Sequence, residues 1–198
     1  MINLFAKQPH TDQVLDSSFL SNYLPQHSRR YQHILGVVRQ MKELLPQLSI
    51  PNDWKPLLIQ ACYLHDIGYS PKLNQYDYHP LDGAIFAAEQ HFPKPVISAI
   101  LFHSCAYEAL FEEKNPNVQS IYQKHLPLLD KQDHLFIDLV TYCDLHTSPT
   151  GETITFQKRL EDIFQRYGME HPISQVMIKN QKKLNNTIER VRQLIHSK

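Results

Sequence analysis

Apolar positions recur along this chain at intervals of three and four residues, with little strict alternation of apolar and polar positions, so the pattern predicts helices rather than sheet. The clearest run spans Ser28 to Leu45. Its apolar face is Ile34, Val37, Val38, Met41, Leu44 and Leu45, with Ser28 placed to cap its start and Pro46 beyond its end. In a second run, capped by Asp53, Leu57, Ala61, Leu64 and His65 share one stripe, Asp66 lies one step around, and Gly68 closes the helix. Residues 70–79 form a polar, tyrosine-rich loop. Pro80 then starts a helix with Leu81, Ala84, Ile85 and Ala88 inward, and Pro95 opens another in which Val96, Ile100 and His103 share a side. Residues 105–131 are less periodic and predict one or two short helices broken by Pro116 and Pro127. From about Lys131 to His146, Phe136, Val140, Cys143 and Asp144 fall on one stripe. Helices over 155–167 and 173–196 finish the chain, and residues 11–24 predict a short first helix ended by Pro25. In the last helix Met177, Leu184, Ile188, Val191 and Ile195 resemble a short coiled-coil seam, expected to pack on its own domain or on a partner, with Lys179, Lys182, Lys183, Arg190 and Arg192 wet.

With 198 residues, 42% of them hydrophobic, and only five glycines, the expectation is one all-α domain, a helical bundle over residues 1–198. Twenty basic and twenty acidic residues cancel, so no global field draws the chain to nucleic acid or anionic lipid. Cys62, Cys105 and Cys143 form no CxxC pair, which argues against a disulfide framework and a thiolate zinc site. The start, Met1 to Lys7, lacks the features of a signal peptide, and no apolar run approaches a membrane span. A cytoplasmic protein, monomer or homodimer, is expected.

The pattern also places polar groups where apolar ones belong. His33 sits at the edge of its helix's apolar face, with Arg30 one turn earlier. His65 and Asp66 are adjacent at a core-facing position, His79 stands at the mouth of a helix, and His103 and Asp144 point inward. Each alone has a plain structural reading: a core histidine bonded to a carbonyl, a surface histidine, a carboxylate held by amides or an arginine. Six together, over five helices or helix mouths, point instead to a bound cation, because buried ionisable groups are costly unless satisfied. Nitrogen and oxygen donors without thiolate suit iron, manganese, cobalt, nickel or zinc better than calcium.

The ordered set His33, His65-Asp66 and Asp144 resembles the HD-domain superfamily of metal-dependent phosphohydrolases, in which those four residues bind a metal. The likeness extends through His65-Asp66-Ile67-Gly68-Tyr69, His79-Pro80-Leu81-Asp82-Gly83-Ala84, His103-Ser104, Thr147-Ser148-Pro149, Gly151-Glu152, Arg159 and Arg166-Tyr167-Gly168 to a bacterial subgroup of small HD-domain proteins, covering about residues 27–170. It implies an all-helical fold, one or two divalent metals per chain, and His79 and His103 as ligands of a second metal or as phosphate contacts. Asp66, His79 and His103 are the catalytic candidates. Arg30, Lys72, Thr147, Ser148 and Arg159 are candidate substrate contacts, each with a structural alternative as surface charge or turn former. The implied activity is hydrolysis of a phosphate ester in a small molecule, with a nucleotide first. A phosphodiesterase on a cyclic or dinucleoside substrate is the alternative, and a non-catalytic nucleotide-binding module is a third reading. Tyr69 stands where many cyclic-dinucleotide phosphodiesterases carry lysine, and their Gly-Tyr-Pro motif is absent, which counts against that substrate.

Overall fold

The structure, a computed structural model, describes residues 3–5, 13–113 and 115–196. Its helices are α1 (Ser17–Ser21), α2 (Arg29–Leu44), α3 (Trp54–Leu64), α4 (His79–Glu89), α5 (Lys94–Phe102), α6 (Ala106–Glu113), α7 (Pro116–His125), α8 (Lys131–Leu145), α9 (Phe156–Tyr167) and α10 (Pro172–His196). The described residues contain no β-strand, only an isolated bridge between Thr147 and Thr153. The fold is all-α, as the periodicity predicts. None of the described helices is long and apolar enough to cross a membrane.

Local chemistry sets most of the boundaries. Ser28 accepts a bond from the Tyr31 amide at 3.2 Å and starts α2. Asp130 and Asp133 form a reciprocal capping box that starts α8, and the Lys94 ammonium lies 2.6 Å from Asp133, tying the starts of α5 and α8 together. Pro80, Pro95 and Pro116 occupy first turns, where a missing N–H costs nothing. Pro116 thus begins α7 rather than breaking a helix.

Three expectations need correction. Asp53 holds the position before α3, but its side chain caps nothing, because its backbone is already helical. The helix ends at Leu64 rather than at Gly68, and His65 and Asp66 stand just past its last turn. Gly68 lies in a 3₁₀ turn, and its role is close approach: a Cβ there would sit 2.0 Å from the His79 carbonyl oxygen. Of the predicted first helix only Ser17–Ser21 forms, capped by Asp16; residues 11 and 12 lie outside the described residues, as do residues 1, 2, 6 and 7 of the amino-terminal stretch.

α5 packs on α4 and α8, and α2 on α3 and α8, around a core that includes Ile34, Leu58, Leu64, Ile100 and Val140. α10 closes the other side against α6, α8 and α9, burying Met177, Leu184, Ile188 and Val191, so the seam is covered by the chain itself. Ile195 is half-buried, and Lys179, Lys182, Lys183, Arg190 and Arg192 are exposed. Tyr142 packs against both apolar clusters and links them.

Candidate metal centre

Four of the inward polar side chains, His65, Asp66, His103 and Asp144, stand at or just past the carboxy-terminal ends of helices, where backbone carbonyls left without helical partners are at hand. His65 follows α3 and donates its Nδ1 proton to the Cys62 carbonyl at 2.7 Å. His103 follows α5 and donates likewise to Ile100 at 2.8 Å. His33, in the second turn of α2, donates Nδ1 to the Ser148 carbonyl at 3.0 Å. That carbonyl reaches α2 because Gly36 and Gly151 let the loop press close, a Cβ on Gly36 meeting the Gly151 oxygen at 2.5 Å. A carbonyl only accepts, so each of these rings carries its proton on Nδ1 and turns the Nε2 lone pair toward a common centre.

Around that centre the donors fall into two groups, each with ligand atoms within 4.8 Å of one another: His33, His65 and Asp144, and Asp66, His79 and His103. Asp66 faces both. Its Oδ2 lies 3.4 Å from His65 Nε2 and 3.8 Å from His33 Nε2, while Oδ1 lies 3.3 Å from His79 Nε2 and 3.7 Å from His103 Nε2. The residues fit a divalent cation on two counts. His65 Nε2 is fully buried with no hydrogen-bond partner. His33 Nε2 faces Asp144 Oδ1 at 2.9 Å, and two lone pairs at that distance need a proton or a cation between them.

Electrostatics point the same way. Burial pushes a carboxyl pKa up, yet Arg30 and the imidazoles around Asp66 outweigh it and hold this group well below the usual range. At Asp144 burial is likewise overcome, by the contact with His33 and the charge of Arg159. Both carboxyls are therefore anions at neutral pH. Burial lowers the pKa of His33, and it pushes that of His79 down to about 4, leaving neutral rings with a free lone pair. At His65 burial lowers and Asp66 raises the pKa, and the carboxylate prevails.

A model of the HD domain matches residues 30–135, which hold His33, His65, Asp66, His79 and His103. This chain belongs to the HD-domain family. No curated protein and no solved structure matches it. HD domains belong to a superfamily of metal-dependent phosphohydrolases. Asp144 lies beyond the matched span, and it is α8 that carries it to the HD-domain centre.

The candidate substrate contacts divide. Arg30 hydrogen-bonds Asp66, its guanidinium lies 3.8 Å from the centroid of the Tyr69 ring, and it lines a cavity of about 530 Å³ over the centre. Burial opposes the Arg30 charge, but Asp66 more than compensates and its pKa is raised. Arg159 lines the same cavity and reaches Asp144 at 3.4 Å. Lys72 does not line it: the exposed ammonium donates to the Asn22 carbonyl at 2.7 Å. Thr147 is fully buried, its hydroxyl spent on the Cys143 carbonyl at 2.7 Å, and the Ser148 hydroxyl accepts from the Glu152 amide at 3.0 Å. These two shape the turn, and Ser148 serves the centre through its carbonyl instead.

Some contributors carry no periodic signal. Ser104 donates to Asp144 Oδ2 from a left-handed backbone, φ 47° and ψ 41°, and its amide donates to Thr141 Oγ1 at 2.9 Å. Tyr69 stacks on His79 with centroids 3.9 Å apart. Asp82 accepts from the amides of Gln75, Tyr76 and Tyr78 and anchors the loop before α4; an acid in a first turn after a polar loop was the available clue.

Proposed function

We propose that this HD-domain protein hydrolyses a phosphate ester of a small molecule, with a nucleotide as the leading substrate, in the cytoplasm as a monomer or homodimer. The observation that carries the reading is the pair of donor groups sharing Asp66 beneath a cavity edged by Arg30 and Arg159. His33, His65 and Asp144 would hold one divalent ion, His79 and His103 a second, with Asp66 between them; iron, manganese, cobalt, nickel and zinc suit this donor set. When bound, such an ion lowers the pKa of a water and offsets charge on the phosphoryl group.

The chain's own groups do the rest. Asp66, ionised, orients the attacking water and accepts its hydrogen bond. Arg30 has one end on Asp66 and a stacked face on Tyr69, which leaves its fork preorganised for phosphate oxygens. Arg159 fixes the Asp144 carboxylate through one guanidinium nitrogen. His79, at the edge of the centre and a quarter exposed, is the imidazole best placed to meet the substrate if it is not itself a ligand.

The test is a screen of phosphomonoesters and phosphodiesters, nucleotides included, on protein supplied in turn with each of those ions. Release of phosphate from nucleoside monophosphates is expected. Cleavage of diesters alone would replace the reading with the phosphodiesterase, and no turnover with any ion would overturn it.

A further inference from the structure

The cavity is lined by two unlike sets of residues. One is His33, Asp66, His79, His103 and Asp144 with Arg30 and Arg159, and the other, a wall built by α9 and α10, is Ile163, Tyr167, Ile173, Val176 and Met177. That wall lies beyond residues 30–135, the span that the HD-domain model matches. Among the cavity-lining residues of α9 and α10, only Arg159, Arg166 and Tyr167 carry side-chain polar atoms, and both arginines are paired with Asp162. No carboxylate or amide side chain of these helices lines it.

The volume, about 530 Å³, is that of a site for a ligand of many heavy atoms; pockets for such ligands run from roughly 300 to 1,000 Å³. Resting on the phosphohydrolase reading, we infer that the α9–α10 wall is the subsite for the organic part of the substrate, and that it selects a planar, largely apolar ring such as a nucleobase over a sugar or polyol. The reason is desolvation. Each hydroxyl turned toward Ile173 or the ring of Tyr167 loses its water partners and gains none, whereas a ring face loses little and buries apolar area there. Tyr167, 38% exposed, and the half-buried Ile173 have surface left for a ligand, while Ile163, Val176 and Met177 are buried. The metal-ligand candidates and Arg30 thus supply the chemistry, and the apolar residues of the last two helices choose what is presented to it.

The test uses metal-loaded protein and two phosphonates, one of a nucleoside and one of ribose, in which carbon replaces the ester oxygen so that no bond is cleaved. Equilibrium titration of the wild type is expected to show the nucleoside compound binding at least about tenfold tighter. Ile173→Asp places a carboxylate in the ring subsite, yet in the first turn of α10, where the helix dipole favours it. It is expected to cut the preference about tenfold or more, and Tyr167→Ala to cut it severalfold. Thermal melts report whether each variant is folded; the wild-type preference stands as a test by itself. Equal binding of the two phosphonates by the wild type, or a preference intact in both folded variants, overturns the inference. Should the preference hold while no phosphate ester is hydrolysed with any ion, the subsite stands and the hydrolase reading falls.

Discussion

Ser104 shows how a single residue serves the centre at a cost to the fold. Both it and Cys105 have positive φ, 47° and 64°, a region that costs a residue with a Cβ roughly 1–2 kcal/mol. The strain turns the chain sharply after His103, so that His103 faces the centre and the next hydroxyl reaches Asp144. Replacing Ser104 should therefore reverse the usual order of alanine and glycine. Ser104→Gly is expected to unfold at about 1 kcal/mol higher stability than Ser104→Ala in urea titrations, while both bind metal more weakly than the wild type because Asp144 loses its donor. Alanine proving the more stable would show that the backbone there is unstrained. The sequence marks His65, His103 and Asp144 because each falls on an apolar stripe, and His33 and Asp66 because they stand at the edge of one, and all five line the two donor groups of the centre. It misplaces Lys72, Thr147 and Ser148 because loop side chains have no period to orient them, and their nearest partners are backbone groups of the loop or its neighbours.

The helices themselves were legible from period and proline placement, and their joints were not. Gly68 reads as a helix stop, yet its work is to let the turn after Asp66 meet the start of α4. A Cβ 2.0 Å from the His79 carbonyl cannot be relieved by a side-chain rotation, since the oxygen is backbone and the backbone fixes where the Cβ stands. Gly68→Ala is expected to cost about 2–3 kcal/mol and to weaken metal binding through His79, measured by chemical denaturation and metal titration. A neutral Gly68→Ala would contradict the close approach. On the other side of the joint, Asp82 gathers three amides of the loop that precedes α4. Asp82→Ala leaves those donors unpaired and is expected to cost about 2 kcal/mol and to speed amide exchange at Gln75, Tyr76 and Tyr78. Exchange unchanged at those amides would show that the loop is held by something else.

At the scale of the molecule, α10 is both part of the cavity wall and the cover of the second apolar cluster. Val176, Met177, Leu184 and Ile188 are buried in that cluster and Val191 in the first, each worth about 1.5–3 kcal/mol, a sum comparable with the roughly 5–15 kcal/mol that holds a domain folded. Deleting residues 172–198 is expected to abolish cooperative melting, and a truncated chain that still melts as one transition would mean that the helix is an appendage. The seam was legible in its spacing, but its partner was not, because a three-four repeat fits a second copy as well as α6, α8 and α9.

The centre that these helices converge on is defined by two donor groups with Asp66 facing both, and its most direct test is a count of metal ions. Titration of the metal-free protein with manganese, followed by metal analysis after desalting, is expected to give two ions per chain in the wild type and one in His79→Ala and His103→Ala. One ion in the wild type and in both variants, or none at all, would contradict the shared centre.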